Sequence, residues 1–476
     1  MRVVIIGAGP GGIVMGKRLL EEGFDEFVIL EASDDVGGTW NLNRYPGCEC
    51  DVQSAMYSFT FEFKPDWTKP YGRQPEILAY MRDVAGKYRV TPHCLFNDRV
   101  TSASWDEAAS VWTVTTESGA GFQAEVLVSA VGMLTHPVWP EIEGRDDFEG
   151  AMFHSARWDW SHDFAGERIA VIGSAASAVQ FVPEIRKTAS QVHLFQRTPN
   201  WILPKEDTPY TEAELEAFRK DPTPLLEMRS DIESRMNRGM TFALKDLLEL
   251  SEKYGLAALS VVSDPEVRAK LTPDHPFGCK RPLLSNDYFK AFNEPNLELV
   301  TEPIARITNN AVVTDDGVER EVDLIVIATG FAATKFAATV DITGRDGVSI
   351  VDAWSEGAQA YLGVTTVGFP NFFMLYGPNM NNGSIIRMLE YQTEHVLQLL
   401  RRMGAEGIQT LEVKPEVMES YNVDVQAAID GVDVWNADCN GYYRAPNGRV
   451  VTQWPFSMDD YKRRSEVIDW AEFSTT

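Results

Sequence analysis

The chain has 476 residues, 44% of them apolar and 24% charged, which is room for two or three domains with cores of their own. Its net charge of −27, from 70 acidic against 43 basic residues, repels phosphate backbones and anionic lipid and so excludes nucleic acid and membrane as expected partners. Five cysteines (Cys48, Cys50, Cys94, Cys279, Cys439) are an odd number scattered over a long chain, which argues against a disulfide framework and for a reducing cytoplasm. A cytoplasmic protein is expected on two further grounds: no 18-residue apolar run suggests a span, and the first strand starts too near Met1 for a signal peptide. No metal is expected, because seven scattered histidines give no ligand spacing and neither HExxH nor CxxC occurs.

The predicted elements begin with a strand at Val3–Ile6, a turn Gly7-Ala8-Gly9-Pro10-Gly11-Gly12, a helix through Leu20, and a second strand Phe27–Leu30 ending on Glu31. Gly7, Gly9 and Gly12 answer three needs of a dinucleotide turn: a tight bend, close approach of backbone to pyrophosphate, and close helix–strand packing. The helix N-terminus then offers free N–H groups to the phosphates. Glu31, 24 residues after Gly7, stands where an acid holds ribose hydroxyls. Next comes Gly37-Gly38-Thr39-Trp40, then Pro46-Gly47 and Asp51. Paired glycines let backbone lie against a large ligand, which puts Gly38, Thr39 and Trp40 among the expected binding residues. An apolar strand from Val126 ends on Gly132.

The strand–turn–helix pattern returns at 168–197. Strand Arg168–Ile172 leads to Gly173-Ser174-Ala175-Ala176-Ser177-Ala178, a helix to about Lys187, and strand Val192–Gln196. Here Arg197 occupies the offset that Glu31 has in the first unit. A carboxylate would repel a 2′-phosphate and a guanidinium accepts one, so the second nucleotide is expected to be NADPH, with Thr198 adding a hydroxyl. Gly173, Ser174 and Ser177 are the corresponding turn contacts. Ala175 departs from the glycine pattern, and its methyl should obstruct the pyrophosphate. Residues 205–272 turn charged and helix-periodic, an expected insertion or lid. A strand over Asp323–Thr329 runs into Gly330, and Phe372–Asn379 precedes a helix from Ile385. Farther on, Trp435, Tyr442-Tyr443 and Trp454-Pro455-Phe456 offer aromatic surface for a substrate pocket or for the core.

Three segments carry a family resemblance: Gly37-Gly38-x-Trp40 through Pro46-Gly47 to Asp51; Phe148-x-Gly150-x-x-x-His154-x-x-x-Trp158-Asp159; and His275-Pro-Phe-Gly-Cys-Lys280-Arg281-Pro282. Together they resemble the type I Baeyer–Villiger monooxygenases, class B flavoproteins, and the likeness spans essentially the whole chain. It implies an α/β fold of two Rossmann-like domains for FAD and NADPH, with a helical insertion in the second. The expected divisions are 1–146 and 331–476 for FAD, 147–204 and 273–330 for NADPH, and 205–272 for the insertion.

The resemblance further implies that Asp51 lies by the flavin and orients Arg281. Arg281 would stabilise the anionic peroxide formed from reduced flavin and O2, a task for a cation that stays charged when buried. Lys280 would reach the 2′-phosphate, and Asn379 would belong to a segment covering the flavin. His154 and Trp158 would sit on an interdomain linker tied to domain movement. The implied reaction inserts one oxygen atom beside a ketone carbonyl to give an ester or lactone, with water as the other product and sulfide oxidation as a side activity. Two enzymatic rivals differ at named residues. An N- or S-oxygenating flavin monooxygenase carries another aromatic in place of Trp158, and a disulfide reductase needs a Cys-x4-Cys pair where Trp40 stands. A flavin redox sensor or NADPH oxidase is the reading of another class; it would have no need of Asp51, Arg281 and the linker motif together.

Overall fold

The structure, a computed structural model, describes residues 1–439 and 441–476. Two five-stranded parallel sheets organise it, and both follow one plan. The first has the order Phe372–Met374, Val126–Ser129, Val3–Ile6, Phe27–Leu30, Cys94–Leu95. The second has the order Ala151–His154, Leu324–Ile327, Arg168–Ile172, Gln191–Phe195, Leu297–Val300. The unbroken apolar runs at Val3–Ile6 and Leu324–Ile327 are buried at every residue, as befits parallel strands covered on both faces. An antiparallel meander precedes the strand that returns beside the first glycine-turn strand in each unit: Val100–Asp106, Val111–Thr116 and Gly121–Ala124 before Val126–Ser129, and Ile304–Ile307, Ala311–Thr314 and Glu319–Glu321 before Leu324–Ile327.

One segment differs from its sequence reading. The stretch expected as a linker places Ala151–His154 as the edge strand of the second sheet, with His154 opposite Ile327. Four residues carry too little alternation to announce a strand; the pairing is supplied by Leu324–Ile327, far along the chain. Gly150 permits the approach, since a Cβ there would lie 2.5 Å from the Asp323 carbonyl oxygen.

Residues 205–272 form four helices, Glu212–Lys220, Thr223–Gly239, Lys245–Leu259 and Pro265–Leu271. The first begins on a capping box in which Thr211 and Glu214 satisfy each other's backbone N–H groups. Strand Ile202–Leu203 before the insertion pairs with Leu283–Leu284 after it, so the four helices leave and rejoin the domain at one place. The helix Ile385–Glu406 buries Ile386, Leu389, Val396, Leu397, Leu400 and Met403 on one face, against the helix Pro10–Glu21. Among the described residues no helix is long and apolar enough to cross a membrane.

The cysteine count misled on one point. Cys279 and Cys439, 160 residues apart, form a disulfide with their Cα atoms 6.4 Å apart. Distance along the sequence carried no information about two loops that fold onto one wall. Cys48, Cys50 and Cys94 are buried free thiols.

Candidate active site

Both glycine turns open onto a single cleft of about 1430 Å³. A pocket for one drug-sized ligand occupies about 300–1,000 Å³, so this cleft has room for two extended nucleotides. Gly7 and Gly173 have left-handed φ of 102° and 108°. A Cβ on Gly7 would lie 2.7 Å from the Ala130 carbonyl oxygen, and one on Gly173 would lie closer still to that of Ala328. The duplication therefore extends to the contact that demands glycine. Gly12 packs its helix onto the Gly7 carbonyl and does not line the cleft. The Glu31 carboxylate accepts hydrogen bonds from the N–H of Ala8 at 2.7 Å and of Ser33 at 2.8 Å, bracing the first turn at the cleft edge. Gly38 touches Gly9 backbone to backbone, since a Cβ on it would stand 2.8 Å from the Gly9 Cα. Gly9, Gly38, Thr39 and Trp40 all line the cleft, and the Trp40 indole N–H donates to the Tyr57 hydroxyl at 3.0 Å.

On the opposite side the cleft is lined by Gly173, Ser174, Ser177, Arg197, Thr198, Lys280 and Gly330. Ala175 has φ −87° and ψ −160°, close to the −71° and −173° of Gly9. Alanine therefore fits the backbone here without strain, and its methyl can interfere only with what enters the cleft. Among the described residues neither Arg197 nor Lys280 makes an ion pair. Burial and then the nearby Arg197 charge lower the affinity of the Lys280 ammonium for its proton. Two like charges brought together at a cleft form a seat for an anion.

Arg281 Nε lies 3.7 Å from Asp51 Oδ2, with side-chain exposures of 35% and 17%. Both line the cleft together with Tyr57, Tyr376, Tyr442 and Tyr443. Arg281 lies deep within the protein mass, so its open surface faces the cleft rather than bulk water. Burial works against its charge, but Tyr442, Asp51, Tyr443 and Tyr376 more than offset this and hold the guanidinium above its ordinary value. Burial also pushes the Asp51 carboxyl up, against the pull of Arg281 and Lys205. The Cys48 and Cys50 thiols at the same wall are pushed up to about 12 by burial and stay neutral. The result is a fixed cation beside a wall of phenols and thiols.

Other expected residues lie elsewhere. Asn379 is buried away from the cleft, its amide donating to the carbonyls of Val450 and Gln453, each at 3.0 Å. Trp435, Trp454 and Phe456 do not line the cleft either, whereas Tyr442 and Tyr443 do. Trp158 is buried against Phe153, Phe164 and Phe181. His154 is 1% exposed, and its Nδ1 accepts from the Ala156 N–H at 3.1 Å. Phe148 packs against the core cluster that holds Ile172, Phe195, Ile307 and Ile325, and Asp159 is an exposed cap on Ser161. This motif stands behind the cleft wall and organises it from outside.

Two contacts between the nucleotide units had no sequence signal. Gln180, in the helix of the second unit, accepts from the Tyr45 hydroxyl at 3.0 Å and donates to the Glu49 carbonyl at 3.0 Å. Glu49 also joins a buried quartet: Lys69 reaches Glu49 at 2.5 Å and Asp207 at 2.6 Å, and Lys205 pairs with Glu49. Each is an ordinary polar residue in sequence and gains its role only from what folds against it.

Comparison with known proteins places this geometry. Residues 4–238 match the pyridine nucleotide-disulphide oxidoreductase family. A Baeyer–Villiger monooxygenase of Pseudomonas aeruginosa is 42% identical, the alignment covering 100% of this chain and 91% of that protein. Among solved structures, cyclohexanone monooxygenase from Rhodococcus sp. Phi1 bound to NADP+ superposes with a TM-score of 0.90 at 29% identity, covering 100% of this chain and 99% of the other. The OTEMO complex with FAD and NADP gives 0.89 at 30% identity, with the same coverage of both chains.

Proposed function

We propose, from the premise that the chain belongs to the Baeyer–Villiger monooxygenase family, that it binds FAD and NADPH and converts a ketone to an ester or lactone. The cleft fits both groups: it is large enough for two dinucleotides, Gly9 and Gly38 leave a backbone cradle, and Arg197 with Lys280 forms an anion seat. FAD would lie along residues 7–12, Glu31 and 38–40. NADPH would lie along residues 173–177, with its 2′-phosphate at Arg197 and Lys280 and its ribose near Thr198. Held there, the two groups would supply the electrons that activate dioxygen, one atom of which would enter the product while the other leaves as water.

The observation that carries the reading is the Asp51–Arg281 pair at the meeting of the two units. Arg281 supplies a permanent charge where negative charge develops on oxygen, and a preorganised donor in a dry site acts without reorganising at the moment of reaction. Asp51 holds its guanidinium in place, and the buried thiols and phenols around it keep water out. Sulfides, which accept an oxygen atom without rearrangement, are a second substrate class.

The test is turnover of FAD-loaded protein with NADPH under ¹⁸O2 across a panel of cyclic, linear and aryl ketones. One labelled oxygen per ester and one NADPH per product are expected. NADPH oxidation that yields only hydrogen peroxide with every ketone would remove the reading in favour of an oxidase.

A further inference from the structure

The wall of the cleft at Arg281 is made by two segments from distant parts of the chain. One carries Cys279, Lys280 and Arg281; the other carries Cys439, Tyr442 and Tyr443, and the disulfide joins them. Gly441 rests against the first segment, where a Cβ would lie 3.6 Å from Lys280 Cγ and 3.9 Å from the Cys279 carbonyl oxygen. Elsewhere the second segment is held by Trp435 against Phe242, rings 6.1 Å apart, and by an exposed Lys245–Asp433 pair at 2.9 Å. An exposed pair of that kind adds little. The covalent link is therefore the strongest tie across this wall, and it keeps the two Cα atoms within about 7 Å of each other.

We infer that Cys279 and Cys439 are a reversible modification site, closed by hydrogen peroxide and opened by a dithiol, which staples the wall around Arg281. Cys279 is buried and Cys439 half-buried, so peroxide meets Cys439 first. The Cys439 thiolate attacks one peroxide oxygen: the S–O bond forms, the O–O bond breaks, and one water leaves after proton uptake. The Cys279 thiolate then attacks that sulfur, forming the S–S bond and releasing the second water, so two thiols are oxidised by two electrons and peroxide is reduced to water. The other three cysteines do not compete, since burial pushes each thiol up to about 12. The oxidant's source rests on the functional reading above: without a ketone, NADPH, H⁺ and O2 give NADP⁺ and hydrogen peroxide. Closing the staple when substrate is absent restrains the Arg281 loop and slows exchange through that wall.

The test uses FAD-loaded protein reduced with dithiothreitol, desalted, and treated with hydrogen peroxide. Alkylation and peptide mapping read the link, hydrogen exchange reads peptides 276–284 and 433–445, and ketone turnover is measured alongside. The link should appear with peroxide and vanish with dithiothreitol, exchange in both peptides should slow about tenfold on closing, and turnover should fall reversibly. Cys439→Ser should form no link, show no exchange response and keep full turnover after peroxide. Cysteines that stay alkylatable after peroxide, or a link that leaves exchange unchanged, would overturn the proposal. Absence of oxygenated product in both redox states would instead remove the functional reading, with link and exchange still deciding the staple.

Discussion

At the residue scale the site depends on one charge and one methyl. Among the described residues Arg281 is the only ion-pair partner of Asp51, and its fork can hold an anion as a lysine ammonium cannot. Arg281→Ala should retain FAD and its reduction by NADPH while ester formation falls about 10²–10³-fold, the usual cost of deleting a preorganised oxyanion contact. Unchanged ester formation in single-turnover assays would transfer the role to another group. Arg281, Asp51 and their pairing were legible because a family pattern contains them; the 3.7 Å separation was not. Ala175 makes the second test. Its backbone matches that of Gly9, so Ala175→Gly relieves no strain and acts only on the ligand. A lower KM for NADPH with unchanged kcat is expected, and an equal or higher KM would clear the methyl of obstruction.

At the scale of elements, most strands and helices announced themselves by pattern. Val3–Ile6 and Arg168–Ile172 fall where their apolar runs put them, and the Ile385–Glu406 helix starts where expected. The edge strand Ala151–His154 did not, because a four-residue edge takes its identity from its neighbour. Its last residue carries a measurable consequence. Burial holds the His154 imidazole at about 4, below the ~6.5 of an unfolded histidine. The folded pKa is depressed, so the stability that neutral His154 contributes is complete above pH 6.5 and is lost as pH falls towards 4. At ~1.4 kcal/mol per unit the loss approaches about 3 kcal/mol. His154→Gln should flatten this part of the stability–pH curve, measured by denaturant unfolding between pH 7 and 4. An unaltered curve would place the acid sensitivity in another group.

At the scale of the whole molecule, two copies of one nucleotide plan face each other across a shared cleft, joined by contacts with no motif. Tyr45 packs against the cores of both units, Gln180 bonds across them, and the Glu49–Lys69–Asp207–Lys205 quartet ties the first unit to the start of the insertion. Lys205 is 4% exposed, and removing one member of a buried charge network leaves its partners uncompensated at about 3–5 kcal/mol. Lys205→Met should lower the unfolding temperature, and adding Glu49→Gln should recover part of the loss; equal stability of Lys205→Met and the parent would show that the quartet is solvated in solution. By itself the sequence determined the doubled strand–turn–helix units, the glycines at their turns, and the matching offset of Glu31 and Arg197 after them. These are local: a backbone conformation or a fixed offset within one unit demands a particular residue type. Only the tertiary structure decided that Asn379 is turned away from the cleft, that Ala151–His154 is an edge strand, and that Cys279 meets Cys439. Those depend on contacts between segments far apart in the chain, where pairing is set by packing of the whole and leaves no periodicity or spacing to read.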